Sequence, residues 1–320
     1  MRTIFKAALV CALSVLSTIS FAADNAKPVT IGILVPFELP AMTQIVSGME
    51  DTVKKDYKTA PVKFLVKNAQ GDTNTQRAIL QEFNSSNVNM VATIGTAASQ
   101  MTIAMIRNKP IIGIAADNLK SEAAKANNLN VTGVNSHTPP KDRLQFMHNA
   151  MPNLKKITIV YSTDSHIFTQ VSQLQAEAKQ DHIIIQKLMI TQLSDLYSVG
   201  KNIAPDSQAV FILKDLMVVS GLNTLLQQAA LKHIPVIASD DGSVAKGAAF
   251  ALGFSEYQTG VDAGKLAIQI LNGKKASNMP VHMMKKYFVF LNPVACKKQN
   301  INPATIESLA KKSGYTVSIL

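Results

Sequence analysis

Residues 29–42 read VTIGILVPFELPAM, and the fold turns on how that stretch divides. Val29–Val35 is an aliphatic, β-branched run without regular polar alternation, the pattern of a strand buried on both faces. Phe37-Glu38-Leu39-Pro40 then interrupts it with an acid and a turn former. From 41 to 57, Met42, Ile45, Val46, Met49 and Val53 recur at helical spacing. The stretch is therefore one strand–rim–helix unit. The unit repeats, with apolar runs at 62–66, Met90–Ile94 and 110–114 and helical patterns at 73–84 and 97–107 between them. A second series has strands predicted at 156–161, 182–189, 209–213 and 234–238, with helices near 166–180, 194–203 and 217–232. Alternation of this kind predicts parallel sheets with right-handed crossovers. Two series predict an α/β chain of two doubly wound parallel-sheet lobes joined by a hinge.

The joint is expected in VTGVNSHTPP, residues 131–140, where the double proline favours an extended segment. Further on, 248–253 reads as a strand, 257–272 as a long helix, Phe288–Leu291 as the last strand, and a final helix begins near Pro303. These late segments have to cross back, so the expected lobes are 28–135 with 256–285, and 138–254 with 286–320.

The first residues set the expected compartment. Arg2 and Lys6 precede an apolar stretch from Ala7 to Phe21, and Ser20-Phe21-Ala22 supplies small residues at −3 and −1. Residues 1–22 are thus expected to be a signal peptide cleaved after Ala22, sending the chain to the periplasm. The formal net charge is +11, and losing Arg2 and Lys6 leaves +11 − 2 = +9. The lysines come as scattered pairs, there is no Trp, and no aromatic residues are interleaved with arginine. A solvated basic surface is therefore expected, and no nucleic-acid partner. Of the two cysteines, Cys11 leaves with the leader and Cys296 stands alone, so no internal disulfide can form.

In open parallel sheets, ligands bind beyond the carboxyl ends of the strands. Those ends carry Phe37, Glu38 and Leu39; Gly95, Thr96 and Gln100; Asp117; Asp164 and His166; Lys214 and Asp215; and Asp240 with Asp241. Thr96 is expected to cap the helix that follows it, leaving N–H groups for an anion. The adjacent acids Asp240 and Asp241 admit several readings: a metal pair, general acid–base chemistry, a plain helix cap, or contact with an organic ligand. Lys214 argues against a dense carboxylate cage for a metal. The chain has no G-x-S-x-G, H-E-x-x-H, G-x-G-x-x-G or C-x-x-C. Residues 260–266 (GVDAGKL) fall one residue short of a P-loop and read as helix. No catalytic residue, metal or cofactor is expected.

The runs VTIGILVPFELPAM, KNAQGDTNT, GTAASQ, IPVIASDDGSVAKGAAFALG and YQTGVDAGKLAIQILNGKKASNMPV together resemble the ABC-transporter substrate-binding family that includes tryptophan/tyrosine-type binding proteins. The resemblance spans residues 28–312. It implies the type I periplasmic binding fold and capture of a small solute between hinged lobes. It further implies delivery to an ABC permease with its ATPase, by a receptor expected to be a monomer. By position it implies Glu38, Thr96, Gln100, Asp117 and Asp215 as cleft residues. Leu39 stands where the family carries His, Ile167-Phe168 where it carries Asn-Ser, and Lys214-Asp215-Leu216 where it carries Thr-Asp-Asn. These changes add apolar surface and one cation. Phe37, Leu39, Ile167 and Phe168 are expected to line an apolar slot, with His166 on its rim. Asp240 and Asp215 should offer carboxylates across the cleft, and Asp241 should point away. Two other roles share these features: a periplasmic sensor for a receptor kinase, and a secreted enzyme using Asp240, Asp241 or His166.

Overall fold

The computed structural model describes residues 27–320, apart from the side chains of Ser165 and His166. The expected leader, 1–22, lies outside the described residues. The first part of the chain alternates β1 (Val29–Val35), α1 (Pro40–Asp56), β2 (Val62–Asn68), α2 (Thr73–Ser85), β3 (Met90–Ile94), α3 (Thr96–Met105), β4 (Ile111–Ile114), α4 (Leu119–Lys125) and β5 (Val131–Asn135). The second part continues with α5 (Pro140–Ala150), β6 (Lys156–Ser162), α6 (Ser165–Gln180), β7 (Ile184–Ile190), α7 (Asp195–Lys201), β8 (Ala209–Ile212), α8 (Leu216–Ser220), α9 (Leu222–Ala230), β9 (Val236–Ile237), α10 (Asp241–Ala245) and β10 (Phe250–Gly253). The chain then returns through α11 (Glu256–Leu271) and β11 (His282–Met283), and closes with β12 (Phe288–Leu291), α12 (Pro293–Lys298), α13 (Pro303–Lys312) and β13 (Thr316–Ile319).

One sheet runs β11-β5-β4-β3-β1-β2, with every pairing parallel. Its central strands, β1, β3, β4 and β5, are buried from both sides, as the unbroken apolar runs require, and the edge strands β2 and β11 are not. Ile31 and Ile33 face Met49, Val53 and Ala263 of α1 and α11, whereas Leu34 faces Leu80 and Phe83 of α2. The second sheet runs β7-β6-β8-β9, also parallel. A parallel bridge between Ala238 and Ala251 continues it toward β10-β12-β13. There β10 and β12 are antiparallel, so this sheet is mixed at its far edge. The molecule is an α/β protein with two sheet-based lobes.

Helix starts follow familiar chemistry. Proline takes one of the first two helical positions in α1, α5, α12 and α13, where its missing N–H has no intrahelical role. Asp72, Ser255 and Asn292 cap α2, α11 and α12 through their side-chain oxygens. Several expectations are corrected here. Residues 131–135 are a strand inside the first sheet, and the passage between sheets occupies only 136–139. The helix read at 217–232 is two, broken at Gly221, where a Cβ would lie 2.2 Å from Leu196. Phe288–Leu291 is not the last strand, because β13 pairs with it in parallel.

Three passages join the sheets, at 136–139, 254–255 and 284–287. Helix α11, past the second passage, packs along α1 and against β4 and β5. Among the described residues, no helix is long and apolar enough to cross a membrane.

Candidate functional site: the cleft between the lobes

Every βα loop named above ends at the carboxyl edge of its sheet, and two of these edges face each other. The start of α1 touches α10 of the other lobe. Between them lies a slot of about 70 Å3, lined on one side by Phe37, Leu39, Pro40, Ala41 and Met42. Lys214, Val219, Asp240, Gly242 and Lys246 line the opposite side. Three expected site residues, Phe37, Leu39 and Asp240, thus meet across one slot.

Thr96 and Asp117 meet elsewhere on the first lobe's edge. Thr96 is the first residue of α3 rather than its cap; Gly95, at φ 90°, takes the cap position. The Thr96 hydroxyl oxygen instead accepts the Asp117 backbone N–H at 3.1 Å. Asn135 Nδ2 donates to Asp117 Oδ1 at 2.8 Å, and His137 Nδ1 lies 3.8 Å from Asp117 Oδ2. Asn135 Oδ1 in turn accepts the His137 backbone N–H at 2.8 Å. Glu38 and Gln100 are exposed. Phe168 is 53% exposed, its ring 6.5 Å from that of Tyr161. Ile167 is buried in the second lobe's core. The His166 side chain lies outside the described residues.

The acids of the second lobe are held by their own loops. Asp215 is 1% exposed. Its Oδ2 accepts the Ser162 N–H at 2.6 Å, and its Oδ1 accepts those of Met217 and Val218 at 3.0 and 3.3 Å. One carboxylate therefore caps α8 and pins the end of β6. Asp240 caps α10: Oδ1 accepts the Ser243 N–H and Oδ2 the Ser243 hydroxyl, both at 2.8 Å. Asp241 does not line the slot, yet the charges of this cluster reach it. It is 6% exposed, and burial pushes its carboxyl up to about 6, with the nearby Glu256 and Asp240 raising it and Lys214 lowering it.

The cations complete the site. Lys214 Nζ donates to Glu256 Oε1 at the start of α11, an ion pair across the lobes. Burial works against the Lys214 charge, but the Glu256 carboxylate more than offsets it and holds the ammonium above its ordinary range. Arg143 is buried in the first turn of α5; burial pulls its guanidinium down to about 10 against the field of Asp240. It remains charged at neutral pH. Among the described residues, no group of three His, Cys, Asp or Glu is arranged to hold a metal. A separate cavity of about 480 Å3 lies at the opposite end of the second sheet, beside the start of β9 and Leu320, away from the facing edges.

Sequence reading passed over Lys246, Met42, Val219, Asn135 and His137. Asn135 and His137 were hidden because 131–140 read as linker. Lys246 has no signal of its own; the short turn of α10 carries it to the slot.

The slot and its facing edges can grip a small molecule, and the comparisons with known proteins concern the same kind of device. The chain is 37% identical over 277 residues to an uncharacterised protein of Rickettsia prowazekii (strain Madrid E), covering 86% of this chain and 87% of that one. It is 26% identical over 296 residues to a tyrosine-binding protein of Clostridioides difficile (strain R20291), covering 89% and 85%. A crystal structure of an ABC domain in complex with L-Trp from Streptococcus pneumonia superposes with a TM-score of 0.78 at 23% identity, covering 91% of this chain and 100% of that one. The profile described as ABC transporter substrate binding protein matches residues 30–316, strands and cleft loops of both lobes alike. On that match, the chain belongs to the ABC transporter substrate binding protein family.

Proposed function

We propose that the protein is an exported receptor that captures a small organic solute, an amino acid or related molecule, between its lobes and delivers it to an ABC permease and ATPase. The observation that carries this reading is the slot lined from both lobes, with Phe37 and Leu39 on one side and Lys214 and Asp240 on the other. A solute held there makes contacts only the closed arrangement can offer, so binding favours closure. The tyrosine-binding relative and the L-Trp complex support the amino-acid class. The lobes of this reading are 28–135 with 256–285, and 138–254 with 286–320; the protein works as a monomer in the periplasm, binding without turnover. In this reading Glu38, Gln100, Phe168 and His166 contact the solute as the lobes close. Asp215 serves by holding the β6 and α8 ends in place.

The test is native mass spectrometry of the purified protein, followed by small-angle scattering with whatever solute co-purifies. Compaction on saturation is the expected result. A solute at a hundredfold excess over its Kd should also add about 2.7 kcal/mol of stability. Saturation without any change in shape would count against a hinged receptor.

A further inference from the structure

The charged groups around the slot are unequally occupied. Asp240 lines the slot and accepts two of the roughly four hydrogen bonds a carboxylate can take, both from Ser243, and Asp215 holds three backbone N–H groups. Asp117 is taken by Asn135 and faced by His137. Glu38 is exposed but does not line the slot. The slot's cations are differently placed. An ammonium carries three donors, and Lys214 has one hydrogen bond, to Glu256. Lys246 is exposed at the slot and belongs to none of the ion pairs among the described residues. Opposite them the wall is Phe37, Leu39 and Met42, with no polar side chain.

We infer that the solute is an organic acid, an apolar body seated on Phe37, Leu39 and Met42 with its anionic group held by Lys214 and Lys246. The acid is essential and an ammonium is dispensable. This rests on the receptor reading above. Lys214 need not leave Glu256 to bind, since it lines the slot and one hydrogen bond leaves two of its three donors unused. Glu256, 2% exposed, therefore keeps its counter-ion in both states.

Calorimetry with four probes on one phenyl body separates the possibilities: 3-phenylpropionate, L-phenylalanine, 3-phenylpropanamide and phenethylamine. The two acids should bind within about tenfold of each other, and the amide and amine about 10- to 100-fold more weakly, the value of a charge-assisted hydrogen bond. Lys214→Met with Glu256→Gln removes the pair together, so no carboxylate is stranded. That variant should erase the preference of acid over amide, and Lys246→Met should reduce it. Lys214→Arg should retain it, as should Lys179→Met on the exposed face of α6. Amide or amine binding as tightly as acid overturns the inference, as does a preference that survives both Lys214 and Lys246 changes. So does failure of all four probes when myo-inositol or a co-purified neutral solute compacts the protein; the receptor reading then stands. If no probe and no co-purified solute compacts it, the receptor reading falls and takes the inference with it.

Discussion

Asp215 and Asp240 show how one residue type does two jobs. Asp215 is buried with three N–H donors converging on it, so Asp215→Asn turns an amide NH2 toward at least one of them. A buried donor left unpaired costs about 1–3 kcal/mol, and thermal or urea unfolding should register a loss of that size. Asp240→Ala removes a cap shared with the Ser243 hydroxyl and should cost about 0.5–2 kcal/mol. Asp241 makes a different prediction. Its carboxyl is raised from 3.8 to about 6, so the folded chain holds that proton more tightly than the unfolded chain does. Folding stability from this group is fully present below about pH 4 and is lost as pH climbs through about 6. Asp241→Asn should flatten that part of the stability–pH curve, and an unchanged slope would locate the coupling elsewhere. The sequence made the double acid conspicuous and offered capping among its readings. It could not show that the Glu256 charge reaches Asp241, because that residue arrives from another lobe.

At the scale of elements, α1 and α11 make the closest helix contact of the first lobe. A Cβ on Gly48 would sit 2.1 Å from the Tyr257 carbonyl oxygen, and one on Gly260 would sit 2.0 Å from the Ile45 carbonyl oxygen. Neither neighbour is a flexible side chain, so the helices must separate to admit a methyl group. Overpacking of this kind costs about 1–3 kcal/mol, and Gly260→Ala should lower the unfolding midpoint accordingly. A neutral result would mean that α11 slides freely on α1. This contact also explains what was legible. The long strands and amphipathic helices announced themselves because burial on both faces leaves an unbroken apolar run. Gly260 and Gly264 were visible only as a failed P-loop, since close approach of two distant helices leaves no periodicity. Short elements fared worst: β11, β13 and α10 take their identity from a neighbour or a cap, not from their own pattern. The polar cluster of Thr96, Asp117, Asn135 and His137 was half legible for the same reason.

Across the whole molecule, one side chain ties the passages together. Tyr287 lies in the third passage, its ring stacked on Phe254 of the second at 4.7 Å and edge-on to Tyr315 at 5.4 Å. Its hydroxyl donates to Asp142 Oδ2 at 2.6 Å, in the first turn of α5 just beyond the first passage. Burial and that carboxylate both push the phenol above its ordinary range, so it stays a donor at any physiological pH. A receptor that opens and closes needs passages that bend without coming apart, and this ring couples the second and third passages to the start of α5, the helix that follows the first. Tyr287→Phe keeps the stacks and loses one hydrogen bond to a charged acceptor, about 1.5–3 kcal/mol. Tyr287→Ala loses the ring as well, about 3–5 kcal/mol for a large buried aromatic and less here because the ring is half-buried. Hydrogen exchange separates clamp from filler. In the Ala variant, exchange should quicken together at 136–139, 254–255 and 284–287, and solute-free scattering should broaden. In the Phe variant, which keeps the stacks, exchange should quicken only at 136–139, beside the lost hydrogen bond, and scattering should stay near the parent. Faster exchange at 284–287 alone would show that the three passages move independently and that the ring merely fills space between them.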